Sequence, residues 1–233
     1  MIKILVVADI HGDFESLSKF VNNLEIDDFD LVVCPGDFTD MYNIPESYSQ
    51  LEIAEIIIQK LISLKKPLFC VPGNHDPYEI LELFDEYCIN LHEKKCKFKN
   101  VFFIGFGGAE TPFNTKFEPT EAEIEKALER IVKKGEGTYV LVTHNPPFRT
   151  KLDRIDTGQN VGSKSVRKFI EKEEPILAIS AHIHEAGGID KLGKTHLFYP
   201  GALYEGFYGI VTIDEEKNEV KCEIRKAKLQ KKF

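Results

Sequence analysis

With 233 residues, of which 42% are hydrophobic and 29% charged, the chain has the size and balance of a globular protein with a sizeable core. No apolar run approaches the ~18 residues of a membrane-spanning helix, so no membrane association is expected. The formal net charge of −8 argues against gripping a nucleic-acid backbone, which needs clustered Lys and Arg to displace counterions.

Residues 2–7 alternate little and are almost wholly apolar, then run directly into Asp9 without a small-residue cleavage site. They are read as a first strand rather than an export signal. Phe14, Leu17, Phe20, Val21 and Leu24 recur at helical spacing, and further strands are expected at 31–34 and 68–71. Between these two strands Leu51, Ala54, Ile57, Ile58, Leu61 and Ile62 form a second helical stripe. Thr120 and Glu123 make a capping-box signature opening a helix that Gly135 should close. A strand at 139–142 follows, then an amphipathic helix over 163–173 stopped before Pro175, then a strand at 176–179. Beyond residue 195 the pattern turns to strands at 196–199, 208–213 and 220–224, with a turn at 214–218. The five cysteines, Cys34, Cys70, Cys88, Cys96 and Cys222, form no Cys-x-x-Cys pair, and Cys34, Cys70 and Cys222 sit in apolar runs. Those three read as buried thiols, and a reducing, cytoplasmic location is expected. The basic residues Arg225, Lys226, Lys228, Lys231 and Lys232 read as a solvated end.

The expected architecture is α/β, one domain over residues 1–233, with two sheets packed face to face as a β-sandwich and helices outside. Irregular stretches at 40–47, 107–119 and 148–162 are long for a compact domain. The first and third directly follow polar motifs and are expected to wall a crevice.

Those polar motifs are the main functional signal. Asp9 and His11, Asp37, Asn74 and His75, His144, then His182 and His184 each follow an apolar strand-like run. Ligands of α/β sheets gather beyond the carboxyl ends of strands. In Asp9-x-His11 and His182-x-His184, alternate residues of an extended segment would point the same way. Gly36 and Gly73 permit tight turns and close backbone approach. Imidazole, carboxylate and amide donors without thiolate suit Mn, Fe, Co, Ni or Zn better than calcium. The supply exceeds the needs of one ion, and two ions ~3.5–4 Å apart would clamp a phosphoryl group undergoing displacement. His92 and His196 lack this context and read as structural.

Taken together, Asp9-x-His11, Gly36-Asp37-x-x-Asp40, Gly73-Asn74-His75-Asp76, His144 and His182-x-His184 resemble, in order and spacing, the signatures of the calcineurin-like metallophosphoesterase superfamily. Tyr199-Pro200-Gly201-Ala202 resembles the turn after the last motif. The resemblance implies a four-layer αββα fold and a dinuclear centre, with manganese the foremost ion. It would have Asp9, His11 and His184 on one ion, Asn74, His144 and His182 on the other, and Asp37 between them. A hydroxide held by the ions would attack a small or medium phosphate monoester or diester. His75 would stabilise charge or protonate the leaving oxygen, with Asp76 orienting it, and Asn74 could also donate an amide hydrogen to a phosphate oxygen. Asp40 would fix the loop or support the site from behind. Ala181 stands where the family usually has Gly, a tolerable change unless that position needs positive φ. The expected partner is a small-molecule phosphoester, with nucleic acid disfavoured and a homo-oligomer open. Arg149, Lys151, Arg154 and Lys164 read as solvated charge. A catalytically silent binding scaffold on the same fold is the competing expectation.

Overall fold

The computed structural model describes residues 1–24, 29–132 and 137–227. The expected strands and helices are present. They are β1 (Ile2–Val6), α1 (Phe14–Asn22), β2 (Leu31–Cys34), α2 (Gln50–Ile62) and β3 (Leu68–Cys70). Three further elements follow: α3 (Ile80–Glu86), β4 (Lys95–Phe98) and β5 (Val101–Phe106). Next come α4 (Glu121–Ile131), β6 (Tyr139–Thr143), α5 (Lys164–Glu173) and β7 (Leu177–Ile179). The chain ends with β8 (Gly188–Leu192), β9 (Thr195–Tyr199), β10 (Phe207–Asp214) and β11 (Glu219–Lys226).

Each helix named here starts where a side chain can satisfy its free N–H groups, α3 excepted. Asp13 accepts from the Ser16 N–H to open α1, and Ser163 does the same for Val166 in α5. The capping box read at Thr120 and Glu123 forms, and Ser49 with Glu52 makes another at the start of α2. Gly135, expected to close α4, lies outside the described residues. So do Lys228, Lys231 and Lys232 of the basic C-terminal patch.

The strands sort into a five-stranded sheet, β11-β10-β1-β2-β3, and a six-stranded sheet, β4-β5-β6-β7-β9-β8. In the first, β1, β2 and β3 are parallel, with β10 and β11 added antiparallel. In the second, β5, β6, β7 and β9 are parallel and the edges β4 and β8 run antiparallel. The late strands therefore divide: β8 and β9 complete one sheet, while β10 and β11 complete the other.

Three apolar layers follow from the alternation of side chains along these strands. Ile4 and Val6 of β1, Leu31 and Val33 of β2, and Val140 and Val142 of β6 meet between the sheets, with Phe103, Leu177, Phe198 and Val211. Leu5, Val32 and Cys34 face the other way, onto Leu17 and Phe20 of α1 and Ala54, Ile57 and Leu61 of α2. Leu141, Ala178 and Leu197 face Ile124 and Leu128 of α4 and Val166 and Ile170 of α5. The order is helix, sheet, sheet, helix, as expected. Each fully buried Leu or Ile in these layers contributes roughly 1.5–3 kcal/mol. Phe14, counted in the apolar stripe of the first helix, is instead 44% exposed, because it begins α1 beside the polar loops. Among the described residues, none of the helices is long and apolar enough to cross a membrane. The five cysteines are free thiols, with Cys34 and Cys70 buried.

Candidate metal centre

The parallel strands β1, β2 and β3 of one sheet and β6 and β7 of the other release their chains at the same end of the sandwich. The five loops that follow are tied to one another. The Asp9 N–H donates to the Gly36 carbonyl, and the Ile10 and His11 N–H groups both donate to the Asp37 carbonyl at 2.8 and 3.0 Å. The buried Asp76 carboxylate accepts from the N–H groups of Phe38, Thr39 and Gly73 and from the Thr39 hydroxyl. His144 donates from Nδ1 to the Pro35 carbonyl at 2.9 Å, and the Ala181 N–H donates to the His144 carbonyl. The His182 N–H closes the ring on Asp9 Oδ1 at 3.2 Å.

The expectation that strand alternation aligns Asp9 with His11, and His182 with His184, is corrected here. β1 ends at Val6, and Asp9, His11, Asp37 and His182 have φ of 51°, 50°, 54° and 78°. These are left-handed turns, a conformation that Asp and His tolerate better than most residues. Holding each one costs on the order of 1–3 kcal/mol, offset here by the hydrogen bonds between loops. Ala181 is not among the positive-φ residues, so its methyl is accommodated without strain. Glycine is required at two neighbouring positions. Gly36 has a φ of 112°, and a Cβ on Gly73 would lie 2.0 Å from Asp37 Oδ1.

The loops bring all seven expected ligand residues together. Asp9, His11, Asp37 and His184 offer ligand atoms within 4.8 Å of one another, and so do Asp37, His144 and His182. Asp37 belongs to both groups: its Oδ2 lies 3.4 Å from His11 Nε2 and 3.4 Å from His144 Nε2. His11 and His184 face each other through Nε2 at 3.1 Å, and His184 Nε2 lies 3.8 Å from Asp9 Oδ1. Asn74 joins the second group, presenting Oδ1 to His144 Nε2 at 2.9 Å. One of its two amide hydrogens goes to the Thr115 hydroxyl at 3.1 Å. Tyr204 places its hydroxyl 2.9 Å from His184 Nδ1.

The surroundings of His75 also differ from expectation. Asp76, expected to orient it, spends both carboxylate oxygens on backbone N–H groups and Thr39, and so fastens the second motif to the third. It is Asp40 that faces the ring, with Oδ1 3.3 Å from His75 Nδ1. Asp40 is itself held by the Tyr42 N–H and the Asn43 amide. His11 and Tyr42 meet the His75 ring edge-on at 4.9 and 5.5 Å. Of the three long loops, 107–119 was not expected to touch the site. It does so through Thr115 and through the N–H groups of Lys116 and Phe117, which donate to the Asn74 carbonyl. The 148–162 loop is organised around a buried residue of its own, Asp153, which accepts from the N–H groups of Arg149, Thr150 and Gly162 and from the Asn160 amide. His92, read as structural, is largely buried and accepts at Nδ1 from the Gly107 N–H; burial lowers its pKa to about 4.

So many charges at close quarters shift one another's titration. Burial disfavours the Asp37 carboxylate, but the imidazoles of His144 and His11 outweigh it and hold its pKa far below the usual range. The same contest, with His184 as the partner, lowers Asp9. Burial would lower His144, yet Asp37 pushes it up to about 9. His182 is lowered to about 3 by burial and by its neighbour His144. Burial and the Asp37 charge raise Asp76 to about 6, against its backbone donors. Burial raises Tyr204 to about 12.

Sequence reasoning missed Tyr204 and Thr115, whose partners lie 20 and 41 residues away. Neither carries a local pattern that announces the contact.

Residues 2–186 match the family profile described as calcineurin-like phosphoesterase, and every site residue from Asp9 to His184 falls inside that stretch. An uncharacterized protein of Methanocaldococcus jannaschii is 34% identical over 225 residues, covering 91% of this chain and 96% of that one. A probable glycerophosphodiester phosphodiesterase of Arcobacter nitrofigilis is 28% identical over 189 residues, covering 76% of this chain but 64% of that protein's length. Among solved structures, a protein of Thermus thermophilus superposes with a TM-score of 0.72 at 20% identity, covering 95% of this chain and 98% of its own, which speaks for the fold.

Proposed function

The chain belongs to the calcineurin-like phosphoesterase family and is a phosphoric ester hydrolase, and from that premise we propose that it cleaves a small or medium phosphate monoester or diester at a centre of two divalent cations. The observation that carries this reading is the position of Asp37 Oδ2, equidistant at 3.4 Å from an imidazole of each donor group. A carboxylate shared in this way suits a bridge between two ions. Asp9 supports the same reading, since its Oδ2 is fully buried and has no hydrogen-bond partner. A buried carboxylate oxygen left bare is costly, and a cation would satisfy it. The donor set of imidazole, carboxylate and amide, without thiolate, fits divalent manganese, iron, nickel, cobalt or zinc, and the family resemblance puts manganese foremost.

Asp9, His11 and His184 would hold one cation, Asn74, His144 and His182 the other, and Asp37 both. When bound, the pair supplies positive charge that acidifies water and polarises the phosphoester oxygens. The remaining work falls to the chain. His75, with Nδ1 turned to Asp40, has Nε2 to deliver a proton to the leaving ester oxygen. Asp40 steadies the ring through this contact. Asp76 keeps the second and third loops in register, so it acts on the chemistry only through them. We take residues 1–233 as one domain for this purpose, since the site draws on both sheets.

A panel of p-nitrophenyl phosphate and bis(p-nitrophenyl) phosphate, run against Mn²⁺, Fe²⁺, Co²⁺, Ni²⁺ and Zn²⁺, tests the proposal. Turnover that depends on added ion is expected, with Mn²⁺ foremost. Folded protein that stays inert with every ion would overturn it and favour the silent scaffold.

A further inference from the structure

Two imidazoles of the centre have a visible partner on the nitrogen that faces away from Asp37. His144 donates from Nδ1 to the Pro35 carbonyl at 2.9 Å. His184 has the Tyr204 hydroxyl at 2.9 Å on its Nδ1. The chemistry of the two partners differs. A carbonyl only accepts, so it fixes the His144 proton on Nδ1 and leaves Nε2 for the centre. A phenol can accept or donate, so it fits either tautomer of His184 until something takes the Nε2 lone pair.

Tyr204 is not free to swing away. It lies in a single 3-10 turn, Leu203–Glu205, whose Leu203 is fully buried in the layer beneath α1 and whose Gly206 closes the turn at φ 92°. The Leu203 N–H donates to the Ala8 carbonyl at 2.9 Å, and Ala202 pairs with Ala8 in a parallel bridge. Ala8 immediately precedes Asp9, so one short segment holds both the Asp9 turn and the support behind His184. The Tyr204 ring also meets His11 and His184 edge-on at 5.6 and 5.4 Å. The connection between β9 and β10 therefore touches His11 and His184 directly and anchors the backbone just ahead of Asp9.

We propose that Tyr204 is a positioning residue for the first cation: its hydroxyl accepts from His184 Nδ1–H and so presents Nε2 as the ligand atom. This rests on the dinuclear reading above. Removing the hydroxyl leaves the Nδ1 proton without its partner and weakens one cation, not both. Loss of such an outer partner typically costs about 10–100-fold in metal affinity.

The test is calorimetric titration of Mn²⁺ into chelator-stripped wild type, Tyr204→Phe and Tyr204→Leu, with circular dichroism as the check on folding. In wild type two ions bind. In Tyr204→Phe one of the two is expected to weaken by about 10–100-fold while the other is unchanged, and the turnover lost at limiting Mn²⁺ returns at saturating Mn²⁺. If Tyr204→Phe binds both ions like wild type and only Tyr204→Leu weakens, the ring and not the hydroxyl matters, and the proposal is overturned. Equal weakening of both ions overturns it as well. A wild type that binds fewer than two ions removes the dinuclear reading itself, a failure visible before any variant is made.

Discussion

The two donor groups of the centre share Asp37 but differ in how they meet solvent. On the inner side the His144 side chain is fully buried, Nδ1 is fixed by a carbonyl, and Asn74 is pinned by Thr115 and by the 107–119 loop. On the outer side His184 remains 30% exposed and His11 12%, and the support is a phenol rather than a carbonyl. A cation on the inner side would be surrounded by groups already committed in geometry. One on the outer side would meet two imidazoles, His11 and His184, that remain partly open to solvent. Near-symmetry in residue type, three donors plus a shared carboxylate on each side, can thus hide a difference in preorganisation.

The strongest way to break this comparison is to remove what the halves share. Asp37→Asn should lower kcat/KM by on the order of 10³ or more, several kcal/mol of charge stabilisation, and weaken both cations in calorimetry. Weakening of one alone would mean that Asp37 belongs to one half.

His75→Ala separates chemistry from binding. Turnover should fall by about 10²–10³-fold through loss of the proton donor, while elemental analysis still finds two ions per chain. If the ions leave with the imidazole, His75 has been misplaced outside the ligand set.

The difference between halves should also show in the order of release. Stopped-flow chelation is expected to be biphasic, the outer ion leaving first and the inner one slowly. Protons sharpen the assignment. His144, pushed up to about 9 by Asp37, carries a proton below that pH in stripped protein and must lose it on loading. Inner-site affinity should therefore rise with pH up to about 9, and loading roughly one pH unit below that value should release a proton, measurable in buffers of different ionisation enthalpy. Affinity for both ions that stays flat across this range would contradict the assignment.

The smallest effect serves as the outside reference. Glu121, first residue of α4, accepts from the Ser163 hydroxyl and from the Lys164 and Ser165 N–H groups, and so caps α5 from its neighbour. Glu121→Gln should cost about 1 kcal/mol, as a weakened helix cap does, with metal binding and activity unchanged. Burial alone would raise this carboxyl, but the Ser165, Ser163 and Lys164 donors lower it below its ordinary 4.5. A depressed carboxyl stabilises the fold above its unfolded pKa and stops doing so as pH falls through the folded one. The gap in melting temperature between wild type and variant should thus narrow as pH falls below the ordinary 4.5 and through the lowered folded value; a gap that does not change with pH at all would mean the cap works without its charge.

Much of this molecule is legible in its residues because the governing physics is local. Apolar runs ending in Asp, Asn or His locate both the sheets and the centre, and a capping box marks α4. What stays hidden is non-local or short. β4 is four residues of Lys-Cys-Lys-Phe and pairs only because Val101–Phe106 folds back on it. The seven-residue α3 is too brief to show a period. Asp76 follows His75 directly, yet its carboxylate turns to the loop of Asp37, because two backbone N–H groups and the Thr39 hydroxyl await it there. Tyr204 reaches His184 only through the docking of Leu203 against Ala8.

The hydrogen atom that stands for a side chain at Gly73 has a bearing on relatives of this chain. With Asp37 Oδ1 only 2.0 Å from where a methyl would begin, alanine at that position would evict the shared carboxylate while leaving every metal-binding residue in the sequence. Such a relative would pass any inventory of ligands as an enzyme and still behave as a silent scaffold. Competence in this family is therefore better judged by the empty space beside a ligand than by the ligand roster.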